Sequence, residues 1–117
     1  MADLAARGPL GQKRPRMESS ALTREAKGKP CTLRLGCCRH DTQYTIFAHI
    51  RLPGNCGMGL KPDDWFGVFG CDMCHDAIDR RHSKNAELWG YEDILRALWE
   101  TLRYQFDNGN LIVKGRQ

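Results

Sequence analysis

Residues 69–82 read FGCDMCHDAIDRRH, and this stretch decides what fold the rest of the chain can adopt. Cys71 and Cys74 have the CxxC spacing with which two thiolates of a tight knuckle hold one zinc ion. The residues that follow predict a helix, on which His75, Asp79 and His82 share one stripe because they are spaced i, i+4, i+7. The stretch therefore predicts a structural thiolate pair and, one turn later, a row of harder metal ligands.

The other half of a four-thiolate zinc site is predicted at the next cysteines upstream. Cys31 and either Cys37 or Cys38 are close enough in sequence to complete the site. We favour Cys38, because residues 39–41 are typical of a turn that leaves a knuckle. Cys37 remains an alternative ligand, and Cys56 is a further substitute.

The cysteines are expected to bind metal rather than to form disulfides. No apolar run follows Met1 as in a secretion signal, and no run approaches the length of a membrane span. In a reducing compartment, cysteine pairs at this spacing are metal ligands more often than disulfides. We therefore expect a cytoplasmic protein with a structural zinc ion and no membrane partner.

The chain divides into a tail and one small domain. Residues 1–19 offer little to bury and contain the basic run Lys13-Arg14-Pro15-Arg16, which predicts a disordered tail. Residues 20–117 then form a single domain, small enough to need a metal staple. The formal charge of +4, with the positive residues concentrated in the tail and around the cysteine motifs, favours a polyanionic partner.

The apolar patterns predict a small α+β fold with an amphipathic helix near the C-terminus. Strands are expected within residues 29–38, at 44–52, at 65–69 and, briefly, at 111–113. A short helix can begin at Ser20 and stop at Gly28, and a long one is expected over 90–106. The apolar positions of the long helix are predicted to be core and to cover the zinc module; they are Leu88, Tyr91, Ile94, Leu95, Leu98, Trp99, Leu102 and Phe106.

A lone histidine on a strand is normally a buried residue with one satisfied nitrogen. His49 shares its strand face with Arg51, two positions away. An arginine on the same face indicates that this face is turned towards solvent or a phosphate. His49 is therefore a candidate functional residue.

The order of strand, strand with histidine, loop, strand, zinc knuckle and helix with histidine resembles the HNH, or ββα-metal, nucleases. The segments AHIRLPGNCG at 48–57, KPDD at 61–64 and CDMCHDAIDRR at 71–81 resemble the small HNH-like nucleases encoded by lambdoid phages and prophages. The resemblance covers about residues 20–117 and leaves the tail outside. It implies a zinc-stapled, HNH or treble-clef-like ββα-metal core, located in the cytoplasm of the bacterial host.

The resemblance also implies a chemistry, namely metal-dependent endonucleolytic hydrolysis of phosphodiester bonds in DNA. His49 would be the general base. His75 and Asp79, with His82, would hold a second divalent cation, such as Mg²⁺, Mn²⁺, Ni²⁺ or Zn²⁺, distinct from the structural zinc. Phosphates would be positioned largely independently of sequence by four cations, which are Arg51, Lys61, Arg80 and Arg81.

The chain departs from the HNH pattern at one position. That pattern has an asparagine shortly before the second CxxC, where it orients the catalytic histidine, and residues 64–70 contain none. Asp64 or Asp63 can replace it through a carboxylate. A zinc-stapled nucleic-acid-binding module without catalysis is therefore the alternative function.

The segment Cys71-x-x-Cys74-His75 is also the attachment motif of c-type haem. Haem attachment takes place outside the cytosol and requires a signal sequence. Since no such signal follows Met1, zinc is the expected group.

Overall fold

The architecture is taken from a computed structural model, which describes residues 15–52, 61–79 and 89–115. Over these ranges the chain is a small α+β protein, as the sequence predicts, and its sheet has two strands rather than the four expected. The elements in chain order are α1 (Ser20–Arg24), a 3-10 turn (Thr42–Tyr44), β1 (Thr45–His49), β2 (Gly67–Cys71), α2 (Asp72–Ile78) and α3 (Tyr91–Asp107).

The sheet is an antiparallel pair whose two ends carry different groups. Thr45 lies opposite Cys71, and His49 lies opposite Gly67. Since a strand rises about 3.3 Å per residue, His49 and Cys71 are roughly 13 Å apart along the sheet. Every residue of β2 is buried, and α2 follows β2 without a loop and packs against both strands.

The core lies between the sheet, α2, α3 and the cysteine loop at 31–38. Its main cluster is built from aliphatic side chains and thiols, and Phe69 is buried as well. Its buried members are Cys31, Leu33, Leu35, Ala48, Ile50, Val68, Cys71, Cys74, Ala77, Ile94 and Ala97.

The predicted first strand is wrong, because residues 29–38 form bends and turns in the structure. Arg34 has a φ of 49°, in the left-handed region that interrupts an extended strand. The segment is instead held by isolated hydrogen bonds rather than by a strand ladder. The backbone N–H of Thr32 donates to the Phe69 carbonyl at 2.6 Å, and Arg96 donates to the Leu33 carbonyl at 2.6 Å.

The last predicted strands also differ from the structure. Residues 111–113 are not a strand, they pair with neither strand of the described sheet, and Ile112 is 87% exposed. The strand expected at 65–69 begins two residues later, at Gly67. The strand expected at 44–52 is confirmed over Thr45–His49.

The long helix is confirmed over Tyr91–Asp107, but its predicted apolar stripe is buried only in part. Ile94 is buried and Leu98 packs against the core, whereas Tyr91, Leu95 and Trp99 are 59%, 65% and 67% exposed. Leu88 lies outside the described residues. The side turned to the sheet carries smaller and polar residues, Ile94, Ala97, Thr101 and Gln105. Hydrogen bonding explains the choice of face.

Thr101 and Gln105 satisfy backbone groups that would otherwise be buried without partners. The Thr101 hydroxyl accepts from the Phe69 N–H at 3.1 Å, and the Gln105 side chain donates to the Leu22 carbonyl at 2.8 Å. A buried backbone group without a partner costs about 1–3 kcal/mol, so these two hydrogen bonds favour the observed rotation of α3.

None of the helices in the described ranges combines the length and the apolar composition of a membrane span.

Gly67→Ala is expected to lower the free energy of unfolding by about 1–3 kcal/mol through overpacking. A Cβ at Gly67 would overlap the Phe47 ring and lie 3.0 Å from the Ala48 carbonyl oxygen. The ring is flanked edge-on by His49, with centroids 5.1 Å apart, and by Phe69, at 6.5 Å. Urea denaturation of both proteins measures the loss.

The matched control is Gly90→Ser, at the N-cap of α3, where a Cβ meets nothing within 4 Å. Serine is a good N-cap residue, so this variant should be at least as stable as the wild type. If Gly67→Ala unfolds at the same urea concentration as Gly90→Ser, the close approach of β1 and β2 at this position is refuted.

Candidate functional site

Four cysteines from two segments converge on one point. The sulfur atoms of Cys31, Cys38, Cys71 and Cys74 all lie within 4.8 Å of one another. A tetrahedral zinc site with Zn–S bonds of about 2.3 Å places its sulfurs roughly 3.8 Å apart. The Cys71–Cys38 separation of 4.0 Å is close to this value. The cluster can therefore hold a metal ion such as zinc.

Local backbone geometry directs these sulfurs. Cys71 is the N-cap of α2, and its sulfur accepts from the Cys74 N–H at 3.4 Å, so the knuckle and the start of the helix are one structure. The Cys71 N–H donates to the Cys31 sulfur at 3.3 Å, and the His40 N–H donates to the Cys38 sulfur at 3.3 Å. Such donors stabilise thiolates and orient them towards a metal.

The structure distinguishes Cys38 from its neighbour Cys37 as a member of the cluster. Cys38 belongs to the cluster, whereas the thiol of Cys37 donates to the Met73 carbonyl at 3.6 Å. Arg39, next to Cys38, pairs through two nitrogens with Asp72 in the first turn of α2, at 2.6 and 3.0 Å. Cys56 lies outside the described residues.

The thiols are too close to ionise independently. The pKa of Cys31 is lowered to about 4 because its sulfur accepts a hydrogen bond from Cys74, and the same bond raises the pKa of Cys74. Burial raises the pKa of Cys38 to about 11. Like charges at this distance disfavour one another, so four thiolates need a cation between them.

His49, at the end of β1, is joined to Asp64. Its Nε2 donates to Asp64 Oδ1 at 2.8 Å, and the two side chains are 12% and 6% exposed. The contact is made by Asp64 and not by Asp63, whose carboxylate accepts from the Met17 N–H. Since a carboxylate only accepts, Nε2 carries the proton and the Nδ1 lone pair is free in the neutral ring.

The pKa of His49 is lowered from its ordinary value of 6.5, mainly because burial disfavours the imidazolium; the charge of Asp64 opposes this shift. The imidazole is therefore neutral near pH 7, the state in which it can accept a proton.

Asp64 is itself a well-supported acceptor. Burial raises its pKa, but the Ser19 N–H, the His49 ring and the charge of Arg16 together lower the pKa below 3.8. The Ser19 N–H donates to Oδ2 at 2.7 Å, and Arg16 Nη2 pairs with Oδ1. Residues 16–19, which the sequence assigns to the tail, thus contact the candidate site.

A second pair lies on α2 and its C-cap. His75 Nε2 and Asp79 Oδ2 are 3.0 Å apart, as the i, i+4 spacing predicts, and their side chains are 18% and 10% exposed. Adjacent ligands of an octahedral ion bound at about 2.1 Å are roughly 3.0 Å apart, so the pair suits one edge of such a site. His82 lies outside the described residues.

The predicted phosphate-binding residues are only partly described. Arg51 and Lys61 are exposed, whereas Arg80 and Arg81 lie outside the described ranges. The contact of Arg16 with Asp64 is not predictable from the sequence. The two residues are 48 positions apart, so no local pattern indicates the contact.

Asp64→Asn is expected to lower the pKa of His49 further, because the carboxylate charge favours the imidazolium. The wild-type ring should titrate below 6.5, the ordinary value. A ¹H–¹³C NMR titration of the imidazole measures both values. A wild-type pKa above 6.5, or a rise in the variant, contradicts the assigned environment.

Comparison with known proteins identifies a family whose model matches the chain. The model of a family described as "Putative nuclease YbcO" matches residues 20–107. Relatives with this description from Escherichia coli K12 and from Enterobacteria phage 82 are each 44% identical over 61 residues, which is 51% of this chain. The chain spans 64% of the length of these relatives.

A solved structure is also similar. It is described as a putative bacteriophage protein from Escherichia coli K-12 MG1655, with a TM-score of 0.56 and 28% sequence identity. The match covers 74% of this chain and 98% of that one. Since the family model covers most of the sequence, from residue 20 to residue 107, the chain belongs to the family described as "Putative nuclease YbcO".

Proposed function

We propose that this chain is a metal-dependent endonuclease of the HNH-like type that hydrolyses phosphodiester bonds in DNA. The observation that carries the proposal is the hydrogen bond of 2.8 Å from His49 to Asp64, on a strand adjoining the cysteine knuckle and its helix. A strand histidine held by a carboxylate is the arrangement that a general base needs. Membership in a nuclease family supports the same conclusion.

The four-cysteine cluster would hold the structural zinc. All four sulfurs are needed to complete a tetrahedral shell, which leaves no open position for substrate. Its role is to join the loop containing Cys31 and Cys38 to the junction of β2 and α2. The chemistry therefore belongs to the other pairs of the site.

In the proposed mechanism His49 acts as the base. Asp64 holds the Nε2–H, so Nδ1 takes a proton from the water that attacks phosphorus. The low pKa of His49 keeps Nδ1 free near pH 7, and Asp64 stabilises the imidazolium formed when the proton arrives. The aspartate does here what the asparagine does in the HNH pattern, with an added negative charge.

His75 and Asp79 would hold the second cation. A divalent ion at this pair would neutralise negative charge on the phosphate and the leaving oxygen. Helix α2 packs against both strands, and β1 ends at His49. Among the described residues, the four cysteines are the group that brings three or more possible ligand atoms within 4.8 Å of one another, so the proposed cation would be held by His75 and Asp79 without His49 or Asp64.

Exposed cations would position the nucleic acid without reading its bases. Arg51 follows β1 by two residues, and Lys61 precedes Asp64 by three, so both flank the base. Guanidinium and ammonium groups bind phosphate oxygens and carry little sequence information. Arg80, Arg81 and His82 continue from Asp79, and their proposed roles rest on the sequence alone.

Cys74→Ser is expected to give an unfolded or insoluble chain without zinc. Structural zinc contributes about 10–16 kcal/mol in small zinc modules, more than the stability of a domain this size. Metal content by mass spectrometry and thermal melting by circular dichroism measure the two effects. Cys37→Ser is the matched control and should keep one zinc ion per chain, because Cys37 is outside the cluster.

The stability of Cys74→Ser can also refute the zinc assignment. A Cys74→Ser protein that melts cooperatively without bound metal would show that the fold does not depend on the ion.

His49→Ala and His75→Ala are expected to fail in different ways. His49→Ala should lose about two to four orders of magnitude in cleavage, the usual contribution of a general base, and should keep DNA binding and both metals. His75→Ala should lose the exchangeable cation together with cleavage, and should keep the zinc. Nicking of supercoiled plasmid, beside metal titrations, measures these differences.

The wild-type protein decides between enzyme and binder in the same assay. Nicking should require added Mg²⁺, Mn²⁺, Ni²⁺ or Zn²⁺. If no metal produces nicking of duplex, single-stranded or branched DNA while the protein still binds DNA, the chain is a zinc-stapled binding module instead.

A further inference from the structure

The segment at residues 16–19, which we call the N-terminal clamp, is fastened to the two aspartates beside the candidate base. The Met17 N–H donates to Asp63 Oδ1 at 2.8 Å, and the Asp64 N–H donates to the Met17 carbonyl at 2.9 Å. Arg16 Nε donates to the Pro62 carbonyl at 2.9 Å. Backbone and side-chain bonds together tie the clamp to residues 62–64.

Asp64 is the centre of this arrangement. Oδ1 is shared by His49 and Arg16, and Oδ2 accepts from the Ser19 N–H. Donors on both oxygens fix the carboxylate plane as well as its position. The carboxylate is 6% exposed and Arg16 is 28% exposed, so solvent competes only weakly for these bonds.

We infer that Arg16 is a positioning residue of the nuclease site, which acts by fixing the carboxylate of Asp64 that in turn orients His49. The inference rests on the proposed function and extends the site to a residue that precedes the domain predicted from the sequence. Arg16 and Ser19 also lie before the stretch matched by the family model, which begins at residue 20. The clamp thus lies outside the matched region.

The physical reason lies in the replacement of an amide by a carboxylate. A neutral asparagine can orient a histidine without further charge compensation, whereas a buried carboxylate needs a cation or several donors. Arg16 supplies the cation and Ser19 supplies a backbone donor. Without Arg16, Asp64 keeps two donors but loses the charged one that shares an oxygen with His49.

The test is a double-mutant cycle on the zinc-loaded full chain. R16Q should lower kcat for plasmid nicking about tenfold to a hundredfold, the effect of a misplacement of about 1 Å, with less than a twofold change in KM. D64A, which removes the acceptor of the His49 Nε2–H, should be at least as slow. The double variant R16Q/D64A should be no slower than D64A alone, because Arg16 acts only through Asp64.

The control is R24Q, which removes one positive charge from an exposed side chain; within the described ranges, that side chain bonds to its own helix, at the Ser20 carbonyl. It should cleave at the wild-type rate. Multiplication of the two single losses in R16Q/D64A would overturn the inference, and so would an equal loss in R24Q.

If the wild type does not cleave, NMR of the His49 ring still measures the effect of Arg16 on the orientation of this histidine. Two-bond ¹H–¹⁵N NMR spectra of the neutral His49 ring distinguish its tautomers. The wild type and R24Q should show the Nε2–H form, and R16Q should show a mixture of both forms. An unchanged Nε2–H tautomer in R16Q refutes the positioning role, whereas absence of nicking by the wild type refutes the nuclease proposal alone.

Discussion

The convergence of four cysteine sulfurs is the constraint on which the rest of the structure depends. Cys71 is the last residue of β2, and Cys74 lies in the first turn of α2. The other two cysteines, Cys31 and Cys38, come from a loop without regular structure. The interior around them consists largely of aliphatic side chains, and a domain of this size has few of them. A cation shared by the four sulfurs, as proposed above, would help such a domain to keep an irregular segment in its core.

The loop also depends on α3, and this explains the rotation of that helix. Arg96 donates to the Leu33 carbonyl, and Glu100 pairs with Arg34 at 2.7 and 2.9 Å. Thr101, one residue further, bonds to β2 at Phe69. The helix thus connects the cysteine loop to the sheet through polar contacts, while Leu95 and Trp99 remain on its outer side.

Residue spacing predicted the features that depend only on residues close together in the sequence. The CxxC knuckle, the contact of His75 with Asp79 and the length of α3 follow from residues at most a few turns apart. The failed predictions have long-range causes. The strand expected at 29–38 is replaced by a turn that brings Cys31 and Cys38 to the cluster, and periodicity carries no information about that requirement. Composition assigns Arg16 to the tail, and no local pattern indicates a partner that lies 48 positions away.

Cys71 has three roles at once, as the last residue of β2, the N-cap of α2 and a sulfur of the cluster. His75 follows Cys74 directly, so the same helix begins at the thiolates and presents the second pair. If the cluster holds zinc and His75 and Asp79 hold the second cation, as proposed, a strong chelator would remove both ions and unravel the start of α2. Inhibition by EDTA would then be an ambiguous diagnostic for a catalytic cation. Only re-addition experiments that begin with the structural ion still bound can assign the metal requirement of this fold.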